Sequence, residues 1–200
     1  MSIRSVLGSR ASIAGVLGSG RGGAPAAWYL AGGVSAANCV AAYQPKGAVS
    51  LAASYTNLAN PGTYNAAPGA TPPAWDTSYG WSISGSVSTI SASISGNQNF
   101  SVLIRFSDRT SGSRLGGLRS GGAYMMYLAP FWSTVTLYYY NGGFVTAGAA
   151  ITSGVSGMAG AQPYKNGGTD GSPFGAATFT TNSFDIQPGT ALTCKVQAVA

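Results

Sequence analysis

Phe100-Ser101-Val102-Leu103-Ile104-Arg105-Phe106 is the stretch from which the fold can be read. Phe100, Val102, Ile104 and Phe106 fall on one side of an extended chain, and Ser101, Leu103 and Arg105 on the other, which is the two-residue period of a half-buried strand. Downstream, Ala123 to Leu128 and Phe131 to Tyr140 read as further strands. Asn141-Gly142 follows at once and accepts the positive φ values of a type I′ turn, so Phe144 to Ala147 is expected to return antiparallel. Tyr164-Lys165-Asn166-Gly167 offers a second hairpin, and Phe174 to Phe179 and Thr193 to Ala200 read as strands.

Upstream, Ala37 to Tyr43 reads as a first strand, and residues 56 to 74, with Pro61, Pro68, Pro72 and Pro73, as a long ordered loop. Trp81, Ile83 and Val87 alternate with serines, after which the apolar set moves to Ile90, Ala92 and Ile94. That shift of phase requires a turn or bulge near Ser88. Strands at this spacing, about ten to twelve in all, with no long amphipathic helix, predict an all-β fold. Its expected form is a two-sheet antiparallel sandwich with Greek-key or jelly-roll connections, built as one domain from residues 24–200.

Only 14 residues are charged, 10 Lys or Arg against Asp76, Asp108, Asp170 and Asp185, where an average chain of this length carries roughly fifty. Glu and His are absent. Ser-His-Asp and Cys-His nucleophiles, His-based metal sites and imidazole acid–base chemistry are excluded with them. The chain therefore reads as non-enzymatic, with no metal and no cofactor. Its net charge of +6 reflects a shortage of acids, and no dense basic run points to nucleic acid. No apolar run approaches the ~20 residues of a membrane span. Arg10 and the glycines around it also argue against a secretory leader, and the sequon Asn99-Phe100-Ser101 is discounted because its Phe belongs to the core strand. Cys39 and Cys194 form neither a CxxC pair nor a zinc knuckle; two buried thiols or a bridge between terminal strands both fit.

Residues 1–23 differ from the rest. Ser2-Ile3-x-x-Val6-Leu7-Gly8-Ser9 recurs as Ser12-Ile13-x-x-Val16-Leu17-Gly18-Ser19. Duplicated modules contact equivalent surfaces, so Ile3, Val6, Leu7, Ile13, Val16 and Leu17 are candidate docking residues of an extended N-terminal arm. A disordered leader is the alternative reading. Gly18-x-Gly20-x-x-Gly23 matches a dinucleotide fingerprint by chance, since Pro25 and no clear helix follow.

Two further constellations could bind a ligand. Arg105, Arg109, Arg114 and Arg119 place four guanidinium groups within fifteen residues, suited to acidic sugars, phosphate or an acidic protein surface, or else forming a solvated basic loop. Trp132, Tyr138 and Tyr140 would share one strand face beside Thr134 and Thr136, suited to stacking on a sugar ring or a protein; core packing is the rival.

The strand Phe100–Phe106, the run Thr134 to Gly142, Pro163-Tyr164-Lys165-Asn166-Gly167 and the closing Lys195-Val196-Gln197-Ala198-Val199-Ala200 together resemble a laminin-G-like domain of the concanavalin-A-like lectin superfamily. Cys39 to Ala48 with Leu58 to Thr63 looks like the versions found in bacteriophage virion proteins. The resemblance covers residues 37–200 and implies a jelly roll whose first and last strands lie side by side, bringing Cys39 near Cys194. It does not carry catalysis or metal: calcium-binding members cluster Asp and Asn, and the glucanase branch uses paired Glu. Members also continue past the Val-x-Ala-Val-Ala strand, so the end at Ala200 implies a shortened domain or an edge covered by a neighbour.

The expectation is a structural protein of a virus particle, a capsid decoration or a fibre or tail component, located in the virion. Residues 1–23 would dock it to other virion proteins, the sandwich would face outward, possible partners include host-surface glycans, and the assembly would be a homo-oligomer. A soluble or cell-surface carbohydrate-binding lectin is the alternative.

Overall fold

The computed structural model describes residues 27–30, 35–85, 88–110, 112, 114–187 and 193–200. The chain divides into Met1–Cys39 and Val40–Ala200. In the first unit, two 3-10 turns, Trp28–Leu30 and Ala36–Asn38, are described, and the Ser35 side chain caps the second by accepting the Ala37 N–H. The candidate docking residues Ile3, Val6, Leu7, Ile13, Val16 and Leu17 lie outside the described residues.

The second unit holds a one-turn helix, α1 (Leu51–Ser54), and sixteen strands among the described residues. They are β1 (Ala67–Pro68), β2 (Ala74–Asp76), β3 (Gly80–Ser84), β4 (Ile90–Ala92), β5 (Gly96–Asn97), β6 (Ser101–Ser107), β7 (Gly116–Ser120) and β8 (Ala123–Trp132). The rest are β9 (Val135–Tyr140), β10 (Gly143–Ala149), β11 (Gly154–Ala159), β12 (Gln162–Lys165), β13 (Gly168–Thr169), β14 (Thr180–Thr181), β15 (Ser183–Ile186) and β16 (Thr193–Val199). Two antiparallel sheets of seven strands pack face to face, as the strand spacing predicts. The first runs β13-β12-β11-β6-β16-β3-β2 and the second β1-β4-β15-β7-β8-β9-β10, with β14 and β5 forming a small ladder of their own.

Alternation does the sorting. In β6, Val102, Ile104 and Phe106 are buried while Ser101 and Leu103 face out. Ile83, Ile104, Phe106 and Val196 from the first sheet meet Leu118, Met126, Leu128, Tyr138 and Ile186 from the second in one core. Each large apolar side chain buried there contributes about 1.5–3 kcal/mol. The phase change near Ser88 corresponds to the chain leaving the first sheet after β3 and entering the second at β4. Both Asn-Gly turns form as expected: Asn141 and Gly142 have φ of 42° and 91°, Asn166 and Gly167 50° and 86°.

Four expectations are corrected. Ala37 to Tyr43 is no strand; a 3-10 turn occupies Ala36–Asn38, and only Tyr43 pairs, antiparallel with Val199. Phe131 to Tyr140 is two strands, because Ser133, at a φ of 57°, turns the chain between β8 and β9. Phe174 to Phe179 joins no sheet; its two rings instead pack against Tyr140, at centroid distances of 5.4 and 5.2 Å. The strand number exceeds the expected range because two-residue ladders such as β1, β5, β13 and β14 leave no periodic trace in sequence.

The predicted loop after residue 56 is held by one side chain. Buried Asn57 accepts the N–H groups of Ala42 and Ala59 and donates to the carbonyls of Val40 and Thr63, all at 2.9–3.0 Å. That saturates its carboxamide. Just before it, Ser54 on α1 accepts the indole N–H of buried Trp81 at 2.7 Å.

Candidate functional site

Strand register assembles a single row across the second sheet. Asp185 on β15 lies between Ser91 on β4 and Gly117 on β7; Gly117 pairs with Tyr127 on β8, Tyr127 with Tyr139 on β9, and Tyr139 with Phe144 on β10. Directly opposed residues share one face of a sheet. Their sequence neighbours Leu118, Met126, Leu128, Tyr138, Tyr140, Phe184 and Ile186 are buried in the core, so the row faces outward. Tyr127 and Tyr139 stack at 4.9 Å with their planes 8° apart, and Phe144, 60% exposed, meets Tyr139 edge-on at 5.1 Å.

A bulge extends the row. The register slips between Leu118 and Arg119, which sets Arg119 opposite Tyr124 instead of Met125. Tyr124 then meets Tyr127 edge-on at 5.7 Å. The Arg114 and Arg119 guanidinium groups lie over its ring at 4.6 and 5.1 Å from the centroid. Each such cation–π contact contributes about 0.5–1 kcal/mol at an exposed site. Gly117 keeps the middle of the row open: a Cβ there would come within 2.0 Å of the Met126 carbonyl oxygen and 2.7 Å of the Tyr127 Cβ.

Charge is distributed unevenly. Arg119 donates to Asp185 at 2.7 Å and to the Gly122 carbonyl at 2.7 Å, and the Asp185 carboxylate raises the guanidinium pKa further. Arg114 donates to the neutral amide oxygen of Gln187 at 3.3 Å, which also accepts from the Tyr124 hydroxyl at 3.3 Å. Burial pushes the Tyr124 phenol up, against the opposing pull of Arg114. The result is a strip of rings with a cationic, hydrogen-bonding end. It can stack on a planar or apolar ligand surface and donate to oxygen atoms at one side. Among the described residues, no three of His, Cys, Asp and Glu are grouped to hold a metal ion.

Of the sequence candidates, the structure brings Arg114 and Arg119 together. Arg109 is elsewhere: it is 2% exposed, beside the Cys194 thiol, and burial lowers its pKa to about 10. The expected face of Trp132, Tyr138 and Tyr140 does not exist, because the turn at Ser133 puts Trp132 on β8, 42% exposed, and the tyrosines on β9. Tyr138 and Tyr140 point into the core, as the rival reading held. The outward-facing aromatics of the row are Tyr124, Tyr127, Tyr139 and Phe144, none of them among the sequence candidates. The usable signal was that Tyr139 lies on an apolar second face of its strand, one that had to be matched to neighbours in the sheet.

A second polar cluster is internal. Asp170 Oδ2 accepts from Thr136 at 2.6 Å and Tyr138 at 2.8 Å, and Oδ1 from the Gly148 N–H at 3.1 Å and Lys165 at 3.0 Å. It links β9 and β10 of the second sheet to β12 of the first and leaves no acceptor free for a ligand.

No protein-family profile matches the chain. No curated protein does either. Among solved structures, the chain is similar to a conserved carbohydrate esterase from the Shiga toxin-encoding bacteriophage phi24B, at 13% identity and a TM-score of 0.36, covering 80% of this chain and 95% of that one. The expectation of a non-enzymatic chain is corrected here. That structural neighbour is named an esterase.

Proposed function

We propose that this chain is a virus-particle protein whose β-sandwich binds carbohydrate through the row Arg114, Arg119, Tyr124, Tyr127, Tyr139 and Phe144, with residues 1–23 docking it to other virion proteins. The observation that carries the reading is the outward-facing row itself. A pyranose ring offers an apolar C–H face to aromatic rings and hydroxyls to donors beside them, and rings with a guanidinium end match both demands. The particle location is supported by the resemblance of Cys39 to Ala48 and Leu58 to Thr63 to phage virion domains, and by the duplicated module in residues 1–23. A homo-oligomer would present several rows at once and gain avidity.

Calorimetric titration with a panel of oligosaccharides tests the site. Tyr127→Ala, with its side chain outside the inter-sheet core, is expected to weaken binding at least about tenfold, equivalent to about 1.4 kcal/mol, at an unfolding midpoint near that of the parent. Unchanged affinity in the variant would refute the row as the site. Deleting residues 1–23 is expected to abolish particle incorporation and leave oligosaccharide affinity intact. Incorporation of the deleted chain would refute docking through residues 1–23, and absence of the full chain from particles would favour the soluble or cell-surface lectin.

A further inference from the structure

We infer that the row takes an acidic sugar, one bearing a carboxylate or a sulfate, and that Arg114 reads its charge. The inference rests on the carbohydrate reading above and narrows it to one chemical class. Its starting point is the complete account of side-chain acids. The sequence holds four Asp and no Glu. Asp108 pairs with Lys195 at 2.6 Å, Asp170 with Lys165 at 3.0 Å and Asp185 with Arg119 at 2.7 Å. Asp76 accepts from the Ser78 N–H at 2.7 Å and its hydroxyl at 2.5 Å, closing its own turn. No side-chain carboxylate is left for Arg114.

Its two direct contacts are neutral: the Gln187 amide oxygen at 3.3 Å and the Tyr124 ring at 4.6 Å. Both hold the guanidinium in place without neutralising it. The long Gln187 contact is a weak bond that an anionic oxygen can replace with a charge-assisted one, about twice as strong. Arg119, over the same ring at 5.1 Å from its centroid, differs because Asp185 already occupies it. The two arginines thus divide the work: Arg119 orders the Tyr124 end, and Arg114 meets the ligand's charge. Tyr127, Tyr139 and Phe144 continue from there as the surface for the sugar rings.

The test compares three probes of equal length on the full chain: a galacturonic acid oligomer, a sulfated galactose oligomer and the unmodified galactose oligomer. The expected result is that one or both acidic probes bind at least tenfold tighter than the neutral one, with an advantage that shrinks between 0.05 and 0.5 M NaCl as salt screens the pair. Arg114→Gln should erase that advantage, so that the acidic and neutral probes bind alike. Arg114→Lys should recover part of it, since an ammonium keeps the charge but loses the planar fork. Arg105→Gln, on the first sheet, is the control for general positive charge and should change nothing. Equal affinity for all three probes, or an equal loss in Arg105→Gln, overturns the acidic class and leaves the carbohydrate reading standing. Failure of every probe to bind overturns both.

Discussion

Asp170 is 6% exposed and carries its charge inside the sandwich. Burial alone would raise its pKa, but hydrogen bonds from Thr136, Lys165, Tyr138 and the Gly148 N–H outweigh that and take it below the ordinary carboxylate range. A carboxyl whose folded pKa is depressed contributes stability that is fully present above its unfolded value, ~3.9, and lost as pH falls through the folded one. Asp170→Asn keeps the shape, removes the charge and leaves Lys165 facing a neutral amide. The expected cost is about 3 kcal/mol at pH 7, the lower end for breaking a buried pair. Urea unfolding of both proteins at pH 7 and pH 3 checks it: the gap should narrow at pH 3. A gap that is absent at pH 7 would assign the tie between the sheets to other groups.

The hairpins decide where the row of rings stands. Gly117→Ala places a methyl against the Met126 carbonyl, and backbone cannot yield as a side-chain tip can. The substitution should cost about 1–3 kcal/mol and also weaken oligosaccharide binding, because Tyr127 must shift with its strand. Thermal unfolding and titration of the one variant read both effects, and an unfolding midpoint equal to the parent's would contradict the close approach. The same elements mark how far sequence alone could reach. Asn141-Gly142 and Asn166-Gly167 announce their turns because few other residues tolerate those φ values. Ser133 turns the chain with no such signal, so in sequence the two strands read as one and Trp132 falls in with Tyr138 and Tyr140. The alternation in β6 was legible because one of its faces is apolar. β9 is apolar on both, and periodicity within one strand cannot say which face meets the other sheet. The row depends on five pairings, two of which, Asp185 with Ser91 and with Gly117, join strands distant in sequence that no local pattern encodes. Arg114 and Arg119 were visible as a pair, but their partner Tyr124 needed the bulge.

At the scale of the whole molecule, both cysteines are buried thiols, the first of the two readings of the sequence. Burial pushes the Cys194 thiol up to about 12, partly offset by Arg109, and raises Cys39 as well. Thiolates, not thiols, react with disulfide reagents. The native protein at pH 8 is therefore expected to show no fast-reacting thiol, and the protein in urea two. A fast native thiol would mean that the Cys194 end of the sandwich opens locally.

The last two strands occupy interior places: β15 lies between β4 and β7, and β16 between β6 and β3. On the ribosome, neither sheet can close until residues 183–199 have left the exit tunnel. Up to that moment the nascent chain holds two half-built sheets with open edges at β4, β7, β3 and β6, the kind of surface that chaperones shield and that aggregates when they do not. Closure of both sheets thus waits on residues 183–199, which hold the last strands of the pairing scheme.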